Sequence, residues 1–246
     1  MHSLLLIDGR ALVDCPPTAL ASLRHSSISP SDIDTILFTH WHGDHCFGFP
    51  FILLERKYIS DRGGEKILHV HLPEGGKERL RVLCDLAYPG SLDQSMNQVR
   101  FDDREEGEVN GTPGWKFERF PVLHDEEVDP HGYLLVHDSG FQLMHTGDSG
   151  PCEAIATRAH TCDVVVIELG VPDHVDTPYH FSATKLATLA NNCPETTFLI
   201  THTWLDDPAC ERPPILTDEL PSLPTNCLHT SDGQSWEWNG TALISN

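Results

Sequence analysis

The chain has 246 residues and a formal net charge of −21, with 37 Asp plus Glu against 16 Lys plus Arg. That length accommodates one large domain, 1–246, whose core needs no disulfides. The acids are spread along the chain rather than gathered in a tail, which excludes a basic footprint and disfavours long nucleic acid as a partner. A small anionic substrate stays compatible, because bound cations dominate the field around them.

In chain order, apolar and alternating runs predict strands at Leu4–Ile7 and Ala11–Val13, joined by a hairpin turn at "DGR". A helix follows over Pro17–Arg24, then strands at Thr35–Thr39 and Ile67–Leu72 and a helix over Lys77–Tyr88. The acidic, turn-rich "DDREEGEVNGTPG" (102–114) reads as a solvated loop. Further strands are expected at Trp115–Leu123, Tyr133–Val136, Phe141–His145 (the last two joined at "DSG"), Val164–Leu169 and Phe198–Thr201. Helices are expected over Cys152–Ala159 and Ser182–Asn191, the latter with Ser182 as N-cap. The Pro- and acid-rich 203–226 reads as a long surface excursion. Hairpins alternating with helices predict a layered α/β or α+β fold.

The eight cysteines include no C-x-x-C pair; they are expected to be reduced and mostly buried, as in a cytoplasmic chain. No run reaches the length of a membrane span, and the opening apolar run meets Asp8 too early for a signal peptide. The expected protein is cytoplasmic and makes no use of a membrane.

"ILFTHWHGDHCFGF" (36–49) places His40, His42, Asp44 and His45 within six positions after an apolar run. Three other predicted strands run towards a potential ligand: His124, Asp148 and His202. In layered folds such strand ends converge where loops gather. One short loop cannot turn all its ligands on a single ion. The natural division gives His40, His42 and His124 to one ion and Asp44, His45 and His202 to a second, with Asp148 bridging. Imidazole and carboxylate donors suit zinc, and also manganese or iron. Two ions roughly 3.5–4 Å apart activate water and clamp reacting oxygens.

With "TGDS" and the later "ITH" in the same order, these motifs resemble the metallo-β-lactamase superfamily. "FTHWHGDHCFGFP", "VLHDEEVDPHGYLLV", "MHTGDS" and "YHFSATKLATLA" are similar to its tRNase Z and phosphodiesterase branch. The resemblance implies a four-layer αββα sandwich of the α+β class and two divalent metal ions held by His40, His42, Asp44, His45, His124, Asp148 and His202. It also implies a hydroxide bridging those ions, oriented by Asp44, and His180 as the acid that protonates the leaving group. The long arm of tRNase Z enzymes is absent, since only "LLVHDSGFQLMHT" separates Tyr133 from Gly147.

The expected activity is therefore a metal-dependent hydrolase acting on a small or cyclic phosphodiester. The alternative is a lactone or thioester hydrolase using the same metal pair. A homodimer is compatible with the sequence. His69 and His71 of "ILHVHLP" are expected to be structural or surface-facing, with no carboxylate beside them. His145 is expected to pack behind the site, and Cys46 to pack rather than act as a nucleophile. Glu168 is open between orienting a ligand and facing solvent.

Overall fold

The computed structural model describes residues 3–203 and 223–245. The expected excursion at 203–226 lies mostly outside them, as does Cys210. The chain forms two compact units that meet in sequence between Phe117 and Glu118.

The first unit carries β1 (Leu5–Ile7), β2 (Ala11–Val13), α1 (Ala19–His25), β3 (Thr35–Leu37), α2 (Gly43–Cys46), α3 (Phe49–Glu55), β4 (Leu68–His71), α4 (Gly76–Ala87), α5 (Asp93–Met96), β5 (Val99–Asp102) and β6 (Glu106–Glu108). Its sheet runs β1-β2-β3-β4-β5. Strands β2 to β5 are parallel, and β1 folds back antiparallel through the "DGR" turn. Asp8 (φ 51°) and Gly9 (φ 70°) both take left-handed backbone there, as the central residues of primed hairpin turns do, and Arg10 completes a three-residue loop between the paired Ile7 and Ala11. Strands β2 and β3 are wholly buried, as parallel strands covered on both faces are.

The second unit opens within β7 (Trp115–Pro121) and continues with β8 (His131–His137), β9 (Gln142–His145), α6 (Glu153–Ala159), β10 (Val164–Leu169), α7 (Ala183–Asn192), β11 (Thr197–Thr203), β12 (Cys227–His229), β13 (Trp236–Trp238) and β14 (Leu243–Ser245). Its main sheet runs β12-β11-β10-β9-β8-β7. Neighbours from β12 to β9 are parallel and β8 is antiparallel. One apolar cluster joins this sheet to its helices, with Met144, Ile167, Phe181, Leu186, Phe198 and Ile200 almost fully buried. The α+β class stands. Among the described residues no helix is long and apolar enough to cross a membrane.

Several sequence expectations shift, each for a local reason. Strand β3 stops at Leu37, because the Thr39 N–H and hydroxyl turn to the Asp14 carboxylate, both at 2.8 Å. Strand β7 ends at Pro121, which has no N–H to donate; Leu123 instead makes an isolated bridge to Gly150. The stretch 102–114 is not simply solvated. It begins on the last residue of β5 and contains β6, with Val109 and Thr112 buried.

His71 of "ILHVHLP" is structural, as expected, but the expected absence of a carboxylate beside it does not hold. It is fully buried, and Asp102 Oδ2 lies 3.5 Å from its Nδ1. The Asn110 N–H donates to His71 Nε2 at 3.1 Å, so the ring pins the following loop.

Ser182 sits at the N-cap of α7 without capping it. Its hydroxyl donates to Asp173, and Asp173 does the capping, accepting from the Thr184 N–H at 3.0 Å and hydroxyl at 2.8 Å. Burial alone would raise the Asp173 carboxyl, but bonds from Ser182 and Thr184 and the charge of Lys185 hold it below its ordinary value. Its stabilising contribution is therefore full above the unfolded carboxylate value and is lost as pH falls through the lower folded value. Asp173→Asn turns three charge-assisted bonds into neutral ones and is expected to cost about 1 kcal/mol at neutral pH. The gap between variant and parent should close in acid, as urea melts at pH 7 and pH 3 would show.

Candidate metal centre

In the first unit the site grows from a buried carboxylate. Asp14 leaves β2 with left-handed backbone, φ 65°, and no solvent exposure. Besides Thr39 it accepts from His45 Nδ1 at 2.7 Å. That bond fixes the tautomer of His45 and presents its Nε2 outward from the carboxylate. The Thr39 hydroxyl spends its proton on Asp14 and so accepts from His40 Nδ1 at 3.0 Å, which leaves His40 Nε2 as a lone-pair donor. His40 Nε2 and His42 Nδ1 stand 3.2 Å apart, close to the separation of about 3.3 Å that two nitrogens on one tetrahedral zinc ion require. Asp44 Oδ2 lies 3.8 Å from His45 Nε2. Three imidazoles and a carboxylate from one loop are thus directed as ligands.

Cys46 follows directly. Its thiol is pushed up to about 12 by burial and by Asp14 and Asp44, against the opposing charge of Arg79. It packs, as expected, and offers no thiolate near neutral pH.

In the second unit three ligands come from strand ends. His124 Nδ1 donates to the Tyr179 carbonyl at 3.2 Å, leaving Nε2 as its donor atom. Asp148 follows Gly147, whose left-handed backbone (φ 61°) sharpens the turn and whose N–H donates to His145 Nδ1 at 3.1 Å. His145 thus holds the loop that carries Asp148. His202 has left-handed backbone, φ 50°, and occupies a bulge: Glu168 pairs with Thr201 and Leu169 with Thr203, leaving His202 as the extra residue. The bulge re-aims its side chain, and Nε2 comes to 3.6 Å from Asp148 Oδ2.

Glu168 resolves in favour of orientation. It is 1 % exposed; Oε1 accepts the Ser149 N–H at 2.7 Å, and both oxygens lie 2.9 Å from His180 Nδ1. The His180 ring is partly buried and edges against that of His124, centroids 4.9 Å apart. A candidate metal group can be drawn from Asp148, Glu168 and His180, but the bonds on Glu168 make it the holder of His180. Gly150 closes the turn, since a Cβ there would stand 1.6 Å from the Pro178 carbonyl oxygen.

Of the sequence-predicted ligands, His40, His42, Asp44 and His45 lie in the first unit and His124, Asp148 and His202 in the second, and bonds within each unit orient the rings of His40, His45 and His124. The donor chemistry, imidazole nitrogen with carboxylate oxygen, fits first-row divalent ions. Asp14 was missed. A lone Asp before Cys15 carries no metal spacing, and only the fold brings it under His45.

Residues 9–203 match the family model described as the β-lactamase superfamily domain. The chain belongs to the metallo-β-lactamase superfamily. Metallo-β-lactamase proteins of this kind are metal-dependent hydrolases that bind an ion pair, and the donor set here is of that type. A curated relative, ribonuclease BN of Enterobacter sp. (strain 638), is 27% identical over 241 residues, covering 79% of this chain and 78% of that one. Among solved structures, the metallo-β-lactamase fold protein YhfI from Bacillus subtilis matches with a TM-score of 0.70 and 14% identity, over 99% of this chain and 90% of that one. A diphosphatase of the PhnP family matches with a TM-score of 0.65 and 19% identity, over 94% and 80%.

Proposed function

We propose that this metallo-β-lactamase superfamily hydrolase is a phosphodiesterase acting on a small or cyclic phosphodiester, with both units serving one catalytic domain. A single family model running across both units supports the second part. The seven residues His40, His42, Asp44, His45, His124, Asp148 and His202 would hold two ions, zinc first among them. When bound, such ions lower the pKa of water and take up charge developing on phosphoryl oxygens.

What carries the phosphodiester assignment is the Glu168–His180 pair. Diester cleavage expels an alkoxide, which needs a proton. His180 Nδ1 donates to Glu168, so Nε2 is the atom left to hold and deliver one. Histidine is the side chain that ordinarily titrates near neutral pH, which suits a general acid. Asp44, whose carboxylate is about a third exposed beside His45, would orient the attacking water and accept its proton. The ribonuclease relative acts, by its name, on a phosphodiester polymer. The charge of −21 favours a small substrate over long nucleic acid. The seven described cysteines are all thiols, which supports a reducing, cytoplasmic setting.

The test is turnover of an aryl phosphodiester by zinc- and manganese-loaded protein. Metal-dependent hydrolysis is expected; none with two ions bound per chain would overturn the assignment in favour of lactones or thioesters. His180→Ala should lose about a hundredfold or more on a diester with an alkyl leaving group. It should lose far less on one releasing 4-nitrophenolate, which needs no proton. Equal losses on both would remove the acid role.

A further inference from the structure

Among the described residues of the second unit, Tyr179 is the one exposed Phe, Tyr or Trp side chain. It is 44 % exposed, and its ring stands edge-on to that of His124, centroids 6.2 Å apart at 82°. The next residue, His180, meets the same imidazole with centroids 4.9 Å apart. An exposed aromatic ring thus lies beside both a candidate ligand and the candidate acid. Leu123, also exposed, directly precedes His124. Its carbonyl accepts the Gly150 N–H at 2.8 Å, and a Cβ on Gly150 would stand 3.2 Å from the Tyr179 nitrogen. Leu123 and Tyr179 therefore flank the same turn.

The Tyr179 ring is exposed, but its backbone is fixed. Its N–H donates to the Thr177 hydroxyl at 3.2 Å and its carbonyl accepts from His124 Nδ1 at 3.2 Å. Lys185 Nζ donates to the Thr177 carbonyl at 2.6 Å, and Pro178 has a locked φ. Two other exposed aromatics are differently employed: the Tyr58 ring carries Lys57, and the Phe47 ring covers Gly43, where a Cβ would stand 2.7 Å from it. A rigidly mounted tyrosine offers a large contact face at low entropic cost.

We infer that Tyr179, flanked by Leu123, is a specificity-determining residue that takes a flat aromatic ring on the leaving group. This rests on the phosphodiesterase assignment and deepens it. His180 delivers its proton to the departing oxygen, so the group on that oxygen leaves past the adjacent Tyr179. Ring-on-ring contact is worth more than aliphatic contact of similar area. The preferred diester releases an alcohol bearing an aromatic ring over an aliphatic one of like size. Tyr179 binds and discriminates; it moves no proton.

The binding probes are benzylphosphonate and (cyclohexylmethyl)phosphonate, titrated calorimetrically into the full-length, metal-loaded protein. The parent should bind the benzyl compound about fivefold more tightly. Tyr179→Phe should keep that ratio, Tyr179→Leu should bring it near one, and Tyr58→Leu should leave it as in the parent. Zinc should raise the Tm of Tyr179→Leu as it does the parent's, since a backbone carbonyl holds His124 in every variant; a lost increment would make Tyr179 structural and overturn the inference. Equal affinities in the parent, or a parental ratio in Tyr179→Leu, would also overturn it. Release of benzyl alcohol and cyclohexylmethanol from their methyl phosphodiesters separates it from the broader proposal. Hydrolysis with a benzyl preference that Tyr179→Leu leaves intact sinks Tyr179 alone. A binding ratio that collapses in Tyr179→Leu, with no phosphodiester hydrolysed by the parent, sinks the phosphodiesterase assignment and leaves Tyr179 an aromatic-binding residue.

Discussion

Asp148→Ala is expected to lower metal-dependent diester hydrolysis by about a thousandfold or more, the scale of several kcal/mol of lost charge stabilisation. Asp148 is buried, 4 % exposed, and its Oδ2 stands 3.6 Å from His202 Nε2. Its loop is held independently, by Gly147 on His145 and by Ser149 on Glu168. The variant should therefore fold, and without metal its Tm should stay near or above the parent's, because a buried carboxylate is gone. What should vanish is most of the Tm increment that zinc gives the parent, since a ligand stabilises only in proportion to its affinity for the folded state. Thermal melts with and without zinc, alongside the rate assay, check both halves. A variant that keeps the full increment would show that Asp148 is no ligand.

Asp14→Ala should do the opposite: damage the fold and the metal affinity together. Three buried donors converge on this carboxylate, the Thr39 N–H, the Thr39 hydroxyl and His45 Nδ1. Each donor left unsatisfied costs about 1–3 kcal/mol, so a loss of roughly 3 kcal/mol or more is expected in urea denaturation. The first unit's ligands should then lose their aim, weakening metal binding about 10- to 100-fold. Asp14→Asn keeps the size but turns an NH2 towards one of the donors, so it should rescue only part of either loss. A metal affinity unchanged in Asp14→Ala would show that His45 is oriented by something other than this carboxylate.

The candidate ligands were legible because metal binding imposes spacing: His40, His42, Asp44 and His45 crowd one strand exit, and His124, Asp148 and His202 each sit just beyond an apolar run. The fold class was legible from hairpins and helices in alternation, and both hairpin turns stand, the second closed by Gly140 with its N–H on the His137 carbonyl at 2.8 Å. Roles fixed by distant partners were not legible. Asp14 lies 31 residues from His45, Glu168 lies 12 from His180, and His71 lies 39 from Asn110; no local period records such pairs. The short helix α2 was missed because four residues display too few turns for an amphipathic stripe, and α3, "FPFILLE", because a nearly continuous apolar run shows no stripe at all. Strand β5, "VRFD", is legible only beside β4, with which it pairs through four rungs.

The bulge at His202 sets regularity against chemistry. Deleting one residue from the end of β11 would restore an even ladder against Glu168 and Leu169 and remove a left-handed non-glycine residue, a local gain in pairing and strain. The same deletion would remove the bulge that re-aims the His202 side chain. A selection for thermal robustness alone would accept that shorter strand, and only a selection that also demands turnover would keep the longer one. The irregular rung is thus a place where screens for stability and for activity should pull this sequence apart.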